Sequence, residues 1–202
     1  MVPKVVLTGG PCAGKTRCLR AIRAQFGEQV VALPESATLL LDSGVPPPGH
    51  ERIHISKDEW VRDFQAGIVT VQQTLEETCA RLARYCGARL IVCDRGILDG
   101  AAYWPGGRQA FLHHFELTAE ECFARYHRVL HLQSLADARP NLYGTENNAI
   151  RYESVADALC VEQAVRAAWH GHPGLIVIPA EEEIQAKIAR VLENVRQLLE
   201  MA

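Results

Sequence analysis

Residues 4–16 read Lys4-Val5-Val6-Leu7-Thr8-Gly9-Gly10-Pro11-Cys12-Ala13-Gly14-Lys15-Thr16. The first five form a β-branched apolar run closed by two glycines, which predicts a buried strand over 4–8. Leu19, Ile22 and Phe26 then recur at helical spacing, which predicts a helix over 15–26. Between the two, Gly9 to Thr16 satisfies G-x-x-x-x-G-K-[ST] at every fixed position. That spacing has a physical purpose. Glycines let the backbone curl until successive amides converge on one anion, and the helix that follows presents its positive end to the same point. Lys15 has the reach for β- and γ-phosphates, and the Thr16 hydroxyl stands where it can ligate Mg²⁺. Gly9, Gly10, Pro11, Cys12, Ala13, Gly14, Lys15 and Thr16 are therefore the expected nucleotide-binding residues.

The same alternation of strand and helix continues outward from this unit. Strands are expected over 30–34, 88–94, 127–132 and 174–178. The run over 88–94 is nearly all apolar, as suits a strand covered on both faces. Ser56-Lys57-Asp58-Glu59 is a capping-box pattern opening a long helix to about Tyr85, with Gly67 as a point of division into two. Thr118-Ala119-Glu120-Glu121 opens a shorter helix in the same way. Helices are also expected over 154–170 and over 181–200, where Ile184, Ile188, Val191, Val195 and Leu198 make an inner stripe. Residues 43–50 hold three prolines and read as a loop. The expectation is one three-layer α/β domain with five parallel strands; by analogy with kinases that carry this phosphate loop, their order is expected to be 2-3-1-4-5 and the polar stretch at about 136–153 a lid.

Composition narrows the functional classes. The chain has 202 residues, 48% hydrophobic and 22% charged, with a formal net charge of −3. There is no basic excess for gripping duplex DNA, so no nucleic-acid partner is expected. No run of 18 apolar residues exists, so no membrane span is expected. Seven cysteines without a C-x-x-C pair argue against a disulfide framework or a zinc ribbon. Most are read as buried thiols in a reducing cytoplasm, and the chain as a monomer or homodimer.

Three further elements surround the loop. Leu90-Ile91-Val92-Cys93-Asp94 ends an apolar strand in a carboxylate, where a magnesium-directed Asp belongs, directly or through water. The next residue is Arg95. Hydrolytic motors place a Glu there to orient water; an Arg cannot be a base but can hold an anion or a sugar hydroxyl. Pro34-Glu35-Ser36 follows the second strand. In the order 2-3-1-4-5, Glu35 and Asp94 converge over the γ-phosphate, where Glu35 can take a proton from an acceptor hydroxyl. Asp99 is a rival for that role. In the lid segment Arg151, and after it Arg139, are candidates for positive charge at the transferring group. The eight histidines are read as structural or solvated, since His127 and His131 on one strand would stand roughly 13 Å apart. Trp60, Phe64 and Ile68 at helical spacing are read as core.

The residues GGPCAGKT, PES, CDRGILDGAAYW, NNAIRYES and W-H-x-H-P resemble the NadR-like P-loop AAA domain group, over about residues 4–200. That group includes ribosylnicotinamide-kinase-type domains and eukaryotic GTP-binding relatives. The resemblance implies a kinase-like P-loop fold that binds nucleotide and Mg²⁺. It also shows departures. There is no room for the adenylyltransferase domain of NadR-type enzymes or for the polyphosphate-binding domain of the eukaryotic relatives, so a stand-alone domain is expected and the acceptor is not carried over. No N-K-x-D element for guanine occurs, which favours ATP. The function expected is a kinase passing the ATP γ-phosphate to a small nucleoside- or nucleotide-like acceptor, with Lys15, Glu35, Asp94, Arg95 and Arg151 as its catalytic residues. The alternative is a nucleotide-gated binding module with slow hydrolysis.

Overall fold

The computed structural model describes residues 2–134, 155–180 and 183–201. Five strands, β1 (Lys4–Thr8), β2 (Val30–Leu33), β3 (Leu90–Asp94), β4 (Arg128–Leu132) and β5 (Leu175–Ile178), form one sheet in the order β2-β3-β1-β4-β5. Every pairing is parallel. Between and after them lie α1 (Lys15–Phe26), α2 (Ser36–Asp42), α3 (Lys57–Cys86), α4 (Gly107–His114), α5 (Ala119–Ala124), α6 (Val155–Ala168) and α7 (Ile184–Met201), with short 3-10 turns at Gly27–Gln29 and Ile97–Ala102.

The period-two alternation of strands divides the core. Val5, Leu7, Leu90, Val92, Leu130 and Leu132 pack with Ile22 of α1 and Val191, Val195 and Leu198 of α7. Val6, Ile91, Cys93 and Val129 pack on the other side with Val69, Phe111, Val165 and Trp169. Both faces of the sheet are covered, as the apolar strand sequences require.

Three expectations are corrected. The long helix is not divided at Gly67: α3 runs unbroken over 30 residues. Gly67 serves packing, since a Cβ there would meet Leu40 Cδ1 of α2 at 3.3 Å. Nor are most cysteines buried. Cys18, Cys93 and Cys122 are, but Cys12 and Cys79 are half-buried and Cys86 and Cys160 exposed, all as free thiols. Phe64 joins the core as expected, while Trp60 is only partly covered and donates its indole N–H to the Pro46 carbonyl at 3.0 Å. The expected lid, with Arg139 and Arg151, lies outside the described residues. Among the described residues no helix is long and apolar enough to cross a membrane.

Register fixes what meets at the carboxyl edge of the sheet. Leu7 pairs with Asp94 and Leu33 with Cys93. One step past Leu33 the chain therefore brings Pro34 and Glu35 beside Asp94 and Arg95. On the other flank Thr8 pairs with His131.

Candidate active site

The loop after β1 is tightly enclosed. Gly9 has φ +132°, and a Cβ there would lie 2.2 Å from the Leu132 carbonyl oxygen, so only glycine fits. Gly14 caps α1 with left-handed backbone and no side-chain hydrogen bond. The first amides of α1 have no carbonyl of their own helix to bond, and so stay available to an anion. Lys15 folds back over the loop. Its Nζ donates to the carbonyls of Gly9 at 2.8 Å and Gly10 at 2.9 Å. Burial, then the nearby Arg95 charge, pull the Lys15 ammonium down to about 8, against the opposite pull of Glu35, Asp94 and Asp99. Thr16, on the first turn of α1, is exposed.

Asp94 ends β3 and is 6% exposed. Its Oδ1 is buried without a hydrogen-bond partner. Burial pushes its carboxyl up to about 6, Lys15 pulling the other way and Glu35 adding to the rise. The orphaned Asp94 oxygen and the Thr16 hydroxyl are oxygen ligands of the kind a hard divalent cation takes, while Lys15 and the free helix N-terminus suit the phosphates that would share it. Asp94 and Thr16 thus fit the part of Mg²⁺ holders. Among the described residues no cluster of three or more His, Cys, Asp or Glu is placed to hold a metal by itself.

Arg95 follows with φ +71°, rare for a side chain of its size. That turn carries the guanidinium back over the sheet edge. Its Nε donates to Glu35 Oε1, and its NH1 approaches Asp99 Oδ1 at 3.3 Å and the Gly9 carbonyl at 3.4 Å. Burial raises the Glu35 carboxyl, but the Arg95 charge and hydrogen bond outweigh it and hold Glu35 below the ordinary carboxylate range. Glu35 also accepts from the Thr38 hydroxyl at 2.8 Å. Its side chain is 28% exposed and that of Arg95 17%, so both remain open to a ligand.

Asp99 is differently placed. Oδ1 accepts from Thr8 Oγ1 at 2.5 Å; Oδ2 accepts from Gly96 N at 2.9 Å and Trp169 Nε1 at 3.1 Å. Both oxygens are committed to holding β1, the turn after β3 and the end of α6 together. The Gln72 amide of α3 braces the same turn from behind, donating to the Arg95 carbonyl at 3.2 Å and accepting from Ser36 Oγ at 2.7 Å.

The structure thus gathers Lys15, Glu35, Asp94 and Arg95 at one edge of the sheet. It also contains residues that the sequence reading passed over. Glu162 of α6 accepts the Gly10 amide at 2.6 Å, and its other oxygen lies 2.6 Å from His131 Nε2. Lys187 of α7 is buried and donates to the carbonyls of Ala13 at 3.1 Å and Gln133 at 2.7 Å. Each had a readable signal: a charged residue on the apolar stripe of a helix, Glu162 between Ala158 and Val165 and Lys187 between Ile184 and Val191. A cavity of about 860 Å³ lies at the amino-terminal edge of the sheet, lined among others by Lys4, Arg125, Tyr126 and His127. It holds none of the residues gathered around the loop.

A parallel sheet in this order, with the glycine-rich turn between β1 and α1 and an Asp ending the neighbouring β3, defines a P-loop nucleotide-binding domain of the α/β class. The family model described as an AAA domain matches residues 4–187, and the chain belongs to that family. Among curated proteins no sequence matches the chain.

Proposed function

We propose that the protein is an ATP- and Mg²⁺-dependent phosphotransferase that moves the γ-phosphoryl group to a hydroxyl or phosphate of a small, nucleoside- or nucleotide-like acceptor. The observation that carries this reading is the Arg95–Glu35 pair, set directly beyond Asp94 and facing the loop that holds Lys15. A hydrolase needs a group that aims water at the phosphate. Here the residue after the strand-end Asp is a cation locked to a carboxylate, an arrangement suited to holding an organic acceptor.

The loop amides and Lys15 bind the phosphates, and Lys15 gives up its two carbonyl contacts to do so. Mg²⁺, when bound at Thr16 and Asp94, supplies positive charge to the phosphate oxygens. Positive charge fixed in advance lowers the cost of the charge that spreads over the transferring group. Arg95 holds the acceptor and orients Glu35. The Arg95 charge keeps Glu35 ionised, so Glu35 accepts the hydrogen bond of the attacking hydroxyl and aligns it for transfer. Asp99, with both oxygens engaged, positions the turn that carries Arg95. Seven cysteines, none of them in a disulfide among the described residues, support a reducing, cytoplasmic setting.

The test is a library of nucleosides, nucleotides and sugars assayed for ADP release from Mg·ATP. The reading predicts that a member of one chemical class raises turnover well above the acceptor-free rate. Slow turnover that no acceptor accelerates would favour a nucleotide-gated binding module instead.

A further inference from the structure

Gly10 occupies a position that the phosphate-binding pattern leaves open to any residue. Glycine nonetheless suits it here, because α6 lies against it. A Cβ on Gly10 would meet Glu162 Oε2 at 2.7 Å and the Glu162 Cα and Cβ at 3.1 Å. Into that contact the Gly10 N–H donates to Oε2 at 2.6 Å. The second carboxylate oxygen lies 2.6 Å from His131 Nε2, and the Ser134 amide also bonds the carboxylate. Glu162 is 1% exposed and His131 fully buried.

An ionised carboxylate at this depth beside a polyanion site runs against Coulomb's law. Burial raises the Glu162 carboxyl, yet the His131 bond and the two amides outweigh it and keep the group ionised at neutral pH. These donors make the charge tolerable. Its consequence is selective. The Gly10 N–H is committed to Glu162 and Pro11 has no N–H, so the loop amides open to phosphate begin at Cys12, with the Ala13 N–H in a long 3.4 Å contact to the Gly10 carbonyl. The Gly10 peptide is gripped at both ends in this state, its N–H by Glu162 and its carbonyl by Lys15. When Lys15 turns to a phosphate, Glu162 still holds the Gly10 N–H, and the Ala13 N–H still reaches the carbonyl at 3.4 Å.

We propose that Glu162 is a positioning residue of the phosphate loop: its carboxylate, steadied by His131, fixes Gly10 and so sets the curvature with which residues 12–16 meet the phosphates. It acts through Gly10 and touches no phosphate itself. The proposal rests on the nucleotide reading of the loop, but needs no knowledge of the acceptor.

The test is calorimetric titration of Mg·ADP into the wild type, Glu162→Ala and Glu162→Gln, with melting curves of each free protein. Losing a charge-assisted bond to the loop should raise the Mg·ADP Kd about tenfold or more in Glu162→Ala. Glu162→Gln, whose carbonyl still accepts from Gly10, should fall between that variant and wild type. A carboxylate with a merely structural role would lower the melting temperature and leave Kd unchanged, which overturns the proposal. If Glu162→Ala does not fold, amide exchange on the wild type decides. The Gly10 N–H should stay protected with and without Mg·ADP, and its release on binding would overturn the proposal. A wild type without affinity for Mg·ADP would end the nucleotide reading and this proposal with it. Normal wild-type affinity with an unaltered Glu162→Ala Kd would end only the role of Glu162.

Discussion

The Arg95 guanidinium reaches from the end of β3 to the Glu35 carboxylate beyond β2, joining residues 60 positions apart in sequence. Parallel pairing of Leu33 with Cys93 sets the two chain ends side by side, and the left-handed backbone of Arg95 completes the approach. The pair makes a kinetic prediction. Glu35→Gln keeps the shape but loses the charge that aligns a hydroxyl, so kcat should fall by about 10²–10⁴ with Mg·ATP affinity unchanged. Arg95→Ala should chiefly raise KM for the acceptor. Because one residue orients the other, the double variant should lose much less than the product of the single losses. Steady-state kinetics of the three variants checks this.

Lys15 makes its two hydrogen bonds to carbonyls of its own loop, at a cost in burial that its lowered pKa reports. Lys15→Ala should therefore melt within a few degrees of wild type while its Mg·ATP Kd rises by about 100-fold, the worth of two charge-assisted bonds. Calorimetry together with a melting curve separates affinity from folding.

Asp94 weakens the free protein at neutral pH, because it is buried with one carboxylate oxygen unpartnered. Its carboxyl lies near 6 in the folded chain against an ordinary 3.8, so the folded state binds more protons than the unfolded one between those values. Stability from this group is full below about pH 4 and is lost as pH rises through 6. Asp94→Asn should stabilise the free protein at pH 7.5, by an upper limit of about 3 kcal/mol, and the gain should vanish near pH 4. The same variant should lose Mg²⁺-dependent turnover. Denaturant melts at the two pH values read the first effect directly.

Most of the fold was legible before the structure. The strands followed from apolar runs and glycine turns and their order from analogy with kinases that carry this phosphate loop; Lys15 was placed by the glycine-rich motif, and Glu35, Asp94 and Arg95 by the strand ends. Legibility stopped where a residue's partner lies far along the chain. Asp99 read as a possible acid–base group because its bonds to Thr8 and Trp169 span 91 and 70 positions. Lys187 sat unnoticed inside an apolar stripe whose other members were recognised, and Glu162 on a helix whose stripe was not read. Gly67 read as a helix breaker because its packing against Leu40 of α2 depends on tertiary structure. A charged residue in a buried stripe was the signal for Glu162 and Lys187.

Glu76 follows the same rule and gives the acid response. It is fully buried on α3 and accepts from Lys4 Nζ at 2.7 Å, Arg125 NH2 at 3.0 Å and the Tyr126 hydroxyl at 2.6 Å. Burial raises its carboxyl, but Lys4 and Arg125 outweigh that and hold it below the ordinary value. Its contribution is thus present above about pH 4.5 and lost as pH falls through the lower folded value. Glu76→Ala should cost about 3 kcal/mol, the low end for a broken buried pair, because Arg125 stays 28% exposed to water. It should also flatten the acid limb of the stability–pH curve. Denaturant unfolding across pH 3–7 tests both.

Phosphoryl transfer to a small organic acceptor is tested most directly by following the γ-phosphate itself. The protein is incubated with Mg·ATP labelled at that phosphate and a mixture of nucleosides and nucleotides, and the labelled products are separated. Transfer predicts label in an organic phosphate ester or anhydride, absent in Lys15→Ala and strongly reduced in Glu35→Gln. Label found only as inorganic phosphate, at a rate indifferent to the mixture and to Glu35→Gln, would contradict it.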